Sequence, residues 1–274
     1  MKSKITGGET TLLFTAKLLN KYDVKYYRCN DTGFIQTEDP YWLDEAYSSA
    51  IASLDVGLVM RNLNLSRDVE KIINNNFDYS KKFLDFAGGY GMFTRLMRDK
   101  GFDFYNTDKY CQDLFADHFE LEDAGTDKFE IVTAFEVFEH LVNPMAEIAE
   151  LFRYSDNILF STEIVPDIST IKGPYDWWYF VPEIGQHIAF YTIDALKYIA
   201  DKNNVHLYTN GQSLHLFTKK VFAKEPLTKP GRDPFMVRKL KKILQGLEGK
   251  PVIHPALLDH DINYIKSKMF DNEL

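Results

Sequence analysis

Asp85, the run Ala87-Gly88-Gly89-Tyr90-Gly91 and Asp108 have the types and spacing that nucleoside binding requires. Small residues let the main chain lie against a ligand that any Cβ would hold off. The amides of such a turn, and of a helix opening behind it, offer donors to polar ligand groups. Asp108 follows Asp85 by 23 positions, near the spacing of about 20 residues at which an acid meets a ribose diol. Its charge strengthens the hydrogen bonds it accepts from sugar hydroxyls. Glu139-His140 and Gln186-His187 form a second group, able to move protons near neutral pH.

The elements that must hold these groups are legible around them. Phe83, Leu84, Asp85 and Phe86 form a short apolar run with one acid, which suits a buried parallel strand. Met92, Phe93, Leu96 and Met97 share one helical face, and Gly101 is placed to stop that helix. A second apolar segment, Phe102 to Thr107, leads to Asp108. Strand, glycine turn, helix, strand and acid make one half of a nucleotide-binding unit. Further on, Pro144 opens a helix whose buried face is Ile148, Leu151 and Phe152, and residues 157–163 form a strand. Thr192 caps the helix that starts at Ile193. Asn210-Gly211 joins two alternating segments as a hairpin.

A dinucleotide site of the form G-x-G-x-x-G would need a third glycine where Thr94 stands. Asp85-x-Ala87-x-Gly89-x-Gly91 instead resembles motif I of the class I S-adenosylmethionine-dependent methyltransferases, (D/E)-x-G-x-G-x-G, with Ala87 in place of the first glycine. Phe129 to Leu141, FEIVTAFEVFEHL, resembles the fourth strand and following loop of the same family. The resemblance covers residues 80 to about 220. It implies an α/β fold, a Rossmann-like seven-stranded methyltransferase sheet with helices on both faces. It also implies S-adenosylmethionine as cofactor and S-adenosylhomocysteine as product. Carried over residue by residue, the cofactor contacts are Asp85, Ala87, Gly88, Gly89, Tyr90, Gly91, Phe93, Asp108, Lys109, Phe135 and Glu136. The stretch Asp113 to Glu122 corresponds to the family's adenine-side segment. There Phe119 is expected to stack on the base and Asp117 to accept from its amino group, with His118 between them.

Methyl transfer from a sulfonium asks the protein chiefly to align donor and acceptor near 3–3.5 Å, which can supply ~7–11 kcal/mol. A base is needed only where the acceptor must lose a proton. His187 is the expected base, in a segment similar to the x-H-h-x-F of sugar and small-metabolite methyltransferases, with h an apolar residue. His140 is the alternative, and the Glu139-His140 pair shapes the loop in many relatives. The acceptor is expected to be a small molecule, with a sugar or glycan intermediate as the candidate class. Tyr41, Trp42, Tyr47, Trp177, Trp178 and Tyr179 either line its site or pack the domain. Some sugar methyltransferases carry a CxxC zinc half-site in a similar opening, but here Thr32 stands three places after Cys29 and no metal is expected.

The 274 residues are 45% hydrophobic and 15% aromatic, enough to build a core and leave aromatic rings for a cleft. A net charge of −8 argues against a nucleic-acid backbone binder, and no Asn-Pro-Pro-Tyr type motif of RNA methyltransferases is present. No apolar run approaches the ~20 residues of a membrane span, and the start lacks a signal peptide's apolar stretch. With Cys29 and Cys111 alone, a reducing, cytoplasmic setting is expected. Three segments follow: an N-terminal helical cap over 1–75, the S-adenosylmethionine-binding domain over 76–225, and a helical tail over 226–274 with a basic face of Arg238, Lys239, Lys241 and Lys242. Two other readings stand beside the methyltransferase: a non-catalytic subunit that binds S-adenosylmethionine, and a nicotinamide-dependent oxidoreductase.

Overall fold

The structure is a computed structural model and describes residues 1–47, 54–227 and 252–271. The chain opens with three antiparallel strands, β1 (Thr10–Leu18), β2 (Tyr22–Cys29) and β3 (Ile35–Thr37). The expected N-terminal helical cap is therefore a sheet as far as Thr37. Leu12, Leu13, Ala16 and Leu19 fit a helical period, but Phe14, Ala16 and Leu18 point inward at a period of two, opposite Val24 and Tyr26. Leu12 faces solvent, and the threonines and aromatics of both strands suit a pleated, half-buried surface. Two helices follow, the single turn α1 (Leu43–Ala46) and the long α2 (Leu58–Asn76).

The second sheet has six strands. In chain order they are β4 (Lys82–Phe86), β5 (Asp103–Thr107), β6 (Val132–Phe135), β7 (Asn157–Ser161), β9 (His206–Thr209) and β10 (Leu214–Thr218). Their order in space is β5-β4-β6-β7-β10-β9, with β4, β5, β6 and β7 parallel and the last two antiparallel. The place of a seventh strand beside β5 holds one isolated parallel bridge, Asn106 to Glu120. Glu120 and Asp123 form a capping box there, so the chain turns into a short 3-10 helix instead of running on. Successive strand residues face opposite layers. Phe83, Phe104 and Leu159 meet α2 and α3 (Met92–Arg98), whereas Leu84, Val132, Ile158 and Phe160 meet α4 (Pro144–Tyr154) and α5 (Ile193–Lys202). Pro144 opens α4 and the Thr192 hydroxyl accepts from Ala195 N at the start of α5, as the sequence predicts.

Between β7 and α5 the chain crosses to the N-terminal sheet, where β8 (Ala189–Phe190) pairs with β3. That pairing fixes the segment carrying His187. The C-terminal helix Leu258–Asp271 returns to the main domain through Asp261, which meets the buried guanidinium of Arg98 at 2.7 and 2.9 Å. The expected basic face of Arg238, Lys239, Lys241 and Lys242 lies outside the described residues. Among the described residues no helix is long and apolar enough to cross a membrane.

Candidate active site

β4 and β6 are parallel neighbours, pairing Leu84 with Val132 and Asp85 with Thr133. The loops leaving their carboxyl ends therefore open side by side, where ligands bind in sheets of this kind. At the end of β4 the turn has Ala87 at φ 55° and Gly89 at φ 60°. A side chain at Gly88 would strike Asn106 Oδ1 and Asp85 Oδ2, while a Cβ at Gly89 would meet nothing within 4 Å. The turn is thus packed from below at Gly88 and bare above Gly89. Asp108 accepts from Gly89 N at 2.9 Å through Oδ2, and from Tyr110 N and Cys111 N at 2.7 and 2.8 Å through Oδ1. Its carboxylate is held at the rim of the bare turn by amides from both sides, with a lone pair on Oδ2 left for a further donor.

Asp85 lies beneath the turn, buried, and accepts from the Thr133 hydroxyl at 2.7 Å. Burial, with the charges of Asp108 and Asp113 added, pushes its carboxyl up to about 7. Tyr90 is partly exposed, and its carbonyl accepts from Leu114 N and Phe115 N. Lys109 is exposed, with its ammonium 5.3 Å from the Tyr110 ring centroid. Phe93 is in the core, packing edge-on against Phe135 at 5.0 Å.

The adenine-side segment departs from expectation. Phe119 is buried, with the Arg98 guanidinium 3.7 Å from its centroid and Tyr264 beside it, so its ring is not available to a base. Asp117 is exposed, and His118, at φ 70°, lies with Nε2 4.0 Å from it. Within this segment the acid that reaches the turn is Asp113, into which a Cβ at Gly91 would run at 2.3 Å. It accepts from Asn106 Nδ2 at 2.9 Å and Ala116 N at 2.7 Å. No motif marks Asn106 or Asp113; the local signal that was available is Asp113 three residues before Ala116, an Asx-type turn.

At the end of β6, Glu136 sits at φ 55°, its amide donating to Ser161 Oγ at 2.8 Å and its Oε1 accepting from that hydroxyl at 2.6 Å. Left-handed backbone at non-glycine residues costs on the order of 1–3 kcal/mol and gathers at functional sites. Here Ala87 and Glu136 carry it at the ends of neighbouring strands. Glu139 is wholly buried; Tyr179 donates to its Oε1 at 2.6 Å and Oε2 has no hydrogen-bond partner among the described residues. Burial, then the charge of Glu136, pushes the Glu139 carboxyl well above the usual range, against the hydroxyls of Tyr179 and Thr162.

Ile188 N donates to Glu139 O at 2.8 Å, and this bond, with the β3–β8 pairing, brings His187 to the Glu139-His140 loop. The two imidazoles meet edge to face at 5.0 Å. His140 Nδ1 lies 3.1 Å from Gln186 O and 3.0 Å from the Tyr47 hydroxyl, and His187 Nδ1 lies 2.7 Å from Tyr179 O. Burial lowers His140 to about 4 and His187 to about 3, so both rings are neutral at pH 7. Arg61, at the start of α2 and paired through both arms with Asp55, adds its positive charge to that lowering.

The six candidate aromatic residues divide. Trp42 and Trp177 are buried in the cluster under the N-terminal sheet, and Trp42 Nε1 donates to Gly185 O at 2.8 Å. Tyr41 and Trp178 are exposed. Tyr47 and Tyr179 belong to the histidine cluster, and Tyr47 stacks at 5.2 Å on Tyr110, two residues beyond Asp108. Tyr110 and Arg61 carry no motif in the sequence. Their place follows from the fold alone.

A family model described as "methyltransferase domain" matches residues 61–209. No curated protein matches the chain. Among solved structures it is similar to an O-methyltransferase family 2 protein from Planctomyces limnophilus in complex with apigenin, at 12% identity and a TM-score of 0.41, with 61% of each chain covered. It is similar to a methyltransferase of calicheamicin biosynthesis bound to S-adenosylhomocysteine, at 11% identity and 0.38, covering 66% of this chain and 60% of that one. An O-methyltransferase family protein from Burkholderia thailandensis gives 10% identity and 0.43, covering 65% and 63%. The chain thus spans about three fifths of the length of these structures.

Proposed function

Because the chain belongs to the methyltransferase-domain family of class I S-adenosylmethionine-dependent enzymes, we propose that it methylates a hydroxyl of a small molecule. When bound, S-adenosylmethionine supplies a methyl on a sulfonium whose sulfur leaves as the neutral thioether of S-adenosylhomocysteine. The bare backbone above Gly89 is the cradle that a Cβ would fill, and Asp108 at its rim has acceptor capacity for ribose hydroxyls. Asp113, in place of Asp117, is the acid that the adenine-side segment brings to the turn.

On the acceptor side, His187 has the role of taking the hydroxyl proton as the oxygen attacks. With Nδ1–H fixed on Tyr179 O, its Nε2 carries the lone pair for this step. Glu139 and His140 position it, and Tyr47 and Tyr110 form an aromatic wall between the two halves of the cleft. A sugar or glycan intermediate is the acceptor class we favour; exposed Trp178 would offer it a flat face. The observation that carries this reading is the adjacency of a bare, acid-rimmed turn after β4 and a proton-accepting cluster after β6.

Thermal unfolding with S-adenosylhomocysteine set against NAD tests it. The first ligand at a hundred times its Kd should stabilise the fold by about 2.7 kcal/mol, and NAD should not. His187→Ala should keep that stabilisation and lose turnover. Unchanged turnover in the variant would reject His187 as the proton acceptor, and binding without any turnover would favour a non-catalytic subunit.

A further inference from the structure

His140 and His187 meet edge to face at 5.0 Å beside the buried Glu139. The geometry offers another use for them. Glu139, His140 and His187 each present one ligand atom, and these atoms all lie within 4.8 Å of one another. Each imidazole has Nδ1 on a backbone carbonyl. A carbonyl only accepts, so each Nδ1 bears the proton and each Nε2 is left with a lone pair. Glu139 Oε2 is buried and, among the described residues, without a hydrogen-bond partner, a loss of about 1–3 kcal/mol for a neutral group and more for a charged one. Once the Glu139 carboxyl gives up its proton, three electron-pair donors converge.

We propose that Glu139, His140 and His187 bind a divalent transition-metal ion, which holds the hydroxyl oxygen of the methyl acceptor. The donor set selects the ion: two imidazole nitrogens and one carboxylate suit Zn²⁺, Mn²⁺ or Fe²⁺, whereas Mg²⁺ and Ca²⁺ prefer oxygen throughout. Three protein ligands with open positions is the pattern of a catalytic metal site. Two ligands at about 2.1 Å on a tetrahedral Zn²⁺ are about 3.4 Å apart, so the widest pair of the cluster closes by up to about 1.4 Å on binding. The carbonyls of Gln186 and Tyr179 are the partners that orient metal-binding histidines through the other ring nitrogen. Tyr179 holds the Glu139 carboxyl in the same way through Oε1, leaving Oε2 for the ion. The Arg61 charge, which would oppose a cation, is met by both oxygens of Asp55.

The role assigned to the ion rests on the methyl-transfer reading above. The ion makes the hydroxyl more acidic, and its proton leaves to water. The oxygen pair then forms the O–CH₃ bond, while the pair of the S–CH₃ bond returns to sulfur. In the ion-loaded site His187 is a ligand and the proton goes to water; in the ion-free chain it keeps the role given above.

The full chain, stripped with EDTA and dialysed, should be titrated calorimetrically with ZnCl₂, with MnCl₂ and, separately, with S-adenosylhomocysteine. We expect one ion per chain, with affinity falling at least tenfold in His187→Ala and in the isosteric Glu139→Gln, and S-adenosylhomocysteine binding unchanged in both. That unchanged binding also reports that each variant has folded; where one has not, the other carries the test. A parent chain that binds S-adenosylhomocysteine but takes up neither ion overturns the metal site and leaves the methyltransferase standing, as does uptake that neither substitution weakens. Metal uptake without S-adenosylhomocysteine binding overturns the role given to the ion and the methyl-transfer reading with it.

Discussion

Gly88 and Gly89 are adjacent and bare for different reasons. A Cβ at Gly88 would lie 2.1 Å from Asn106 Oδ1 and 2.3 Å from Asp85 Oδ2. Gly88→Ala should therefore destabilise the fold itself, seen as a lower Tm. A Cβ at Gly89 enters open space, so Gly89→Ala should lose only about 1–2 kcal/mol to its left-handed backbone while abolishing S-adenosylhomocysteine binding by calorimetry. Equal effects of the two substitutions on Tm would contradict this division. Asp85 gives a pH-dependent case. Below about pH 3.9 the folded and unfolded chains both hold its proton. As pH rises through the folded value of about 7, the unfolded chain has released a proton that the folded one kept, and the fold loses roughly 4 kcal/mol. Asp85→Asn retains an acceptor for Thr133 and removes the titration. Its stability in urea, relative to the parent, should rise as pH goes from acid to neutral; a flat difference would reject the raised carboxyl.

Among the elements, the C-terminal helix is tied down by Asp261, which pairs with the buried Arg98 and with half-buried Arg95. Arg98 is fully buried, gives Nε and Nη2 to Asp261, and gives Nη1 to Asp103 and to Phe104 O. Asp261→Ala leaves part of that guanidinium without a partner. Breaking a buried pair costs about 3–5 kcal/mol, and the lower end applies because Asp103 and the carbonyl remain. Urea unfolding should show that loss, and Arg98→Met combined with Asp261→Ala should restore a good part of it. A double variant no more stable than the single one would show that the pair itself contributes little. The glycine turn, the helix stop at Gly101 and the cap at Thr192 were all legible beforehand, because each depends on residues within about four positions of one another. The N-terminal strands were not. Leu12, Leu13, Ala16 and Leu19 satisfy a helical period while Phe14, Ala16 and Leu18 satisfy an alternating one, and the choice was made by the facing residues of β2.

Over the whole molecule, the four-stranded sheet acts as a second body that delivers His187. Its core contains Trp42, Trp177, Phe180 and Phe190, and β3–β8 pairing carries the segment to Glu139. Trp42→Ala should cost about 3–5 kcal/mol by cavity formation. Because Trp42 is remote in the chain from the glycine turn and packs in a separate cluster, S-adenosylhomocysteine affinity should hold while kcat/KM falls tenfold or more. A matching loss of cofactor affinity would show that the two bodies are not separable in function.

By itself the sequence determined the strand-turn-helix-strand unit, the acid that ends it and, through these, the family and its methyl donor. These features are contiguous, and the backbone dihedrals and close approaches they need are set by neighbours a few residues away. Only the tertiary structure decided that Phe119 turns inward under Arg98, that Asp113 stands at the turn, and that Tyr47, Glu139, His140 and His187 share one site. Burial and strand register are set by partners distant along the chain, and no local pattern of residues records which partners those will be.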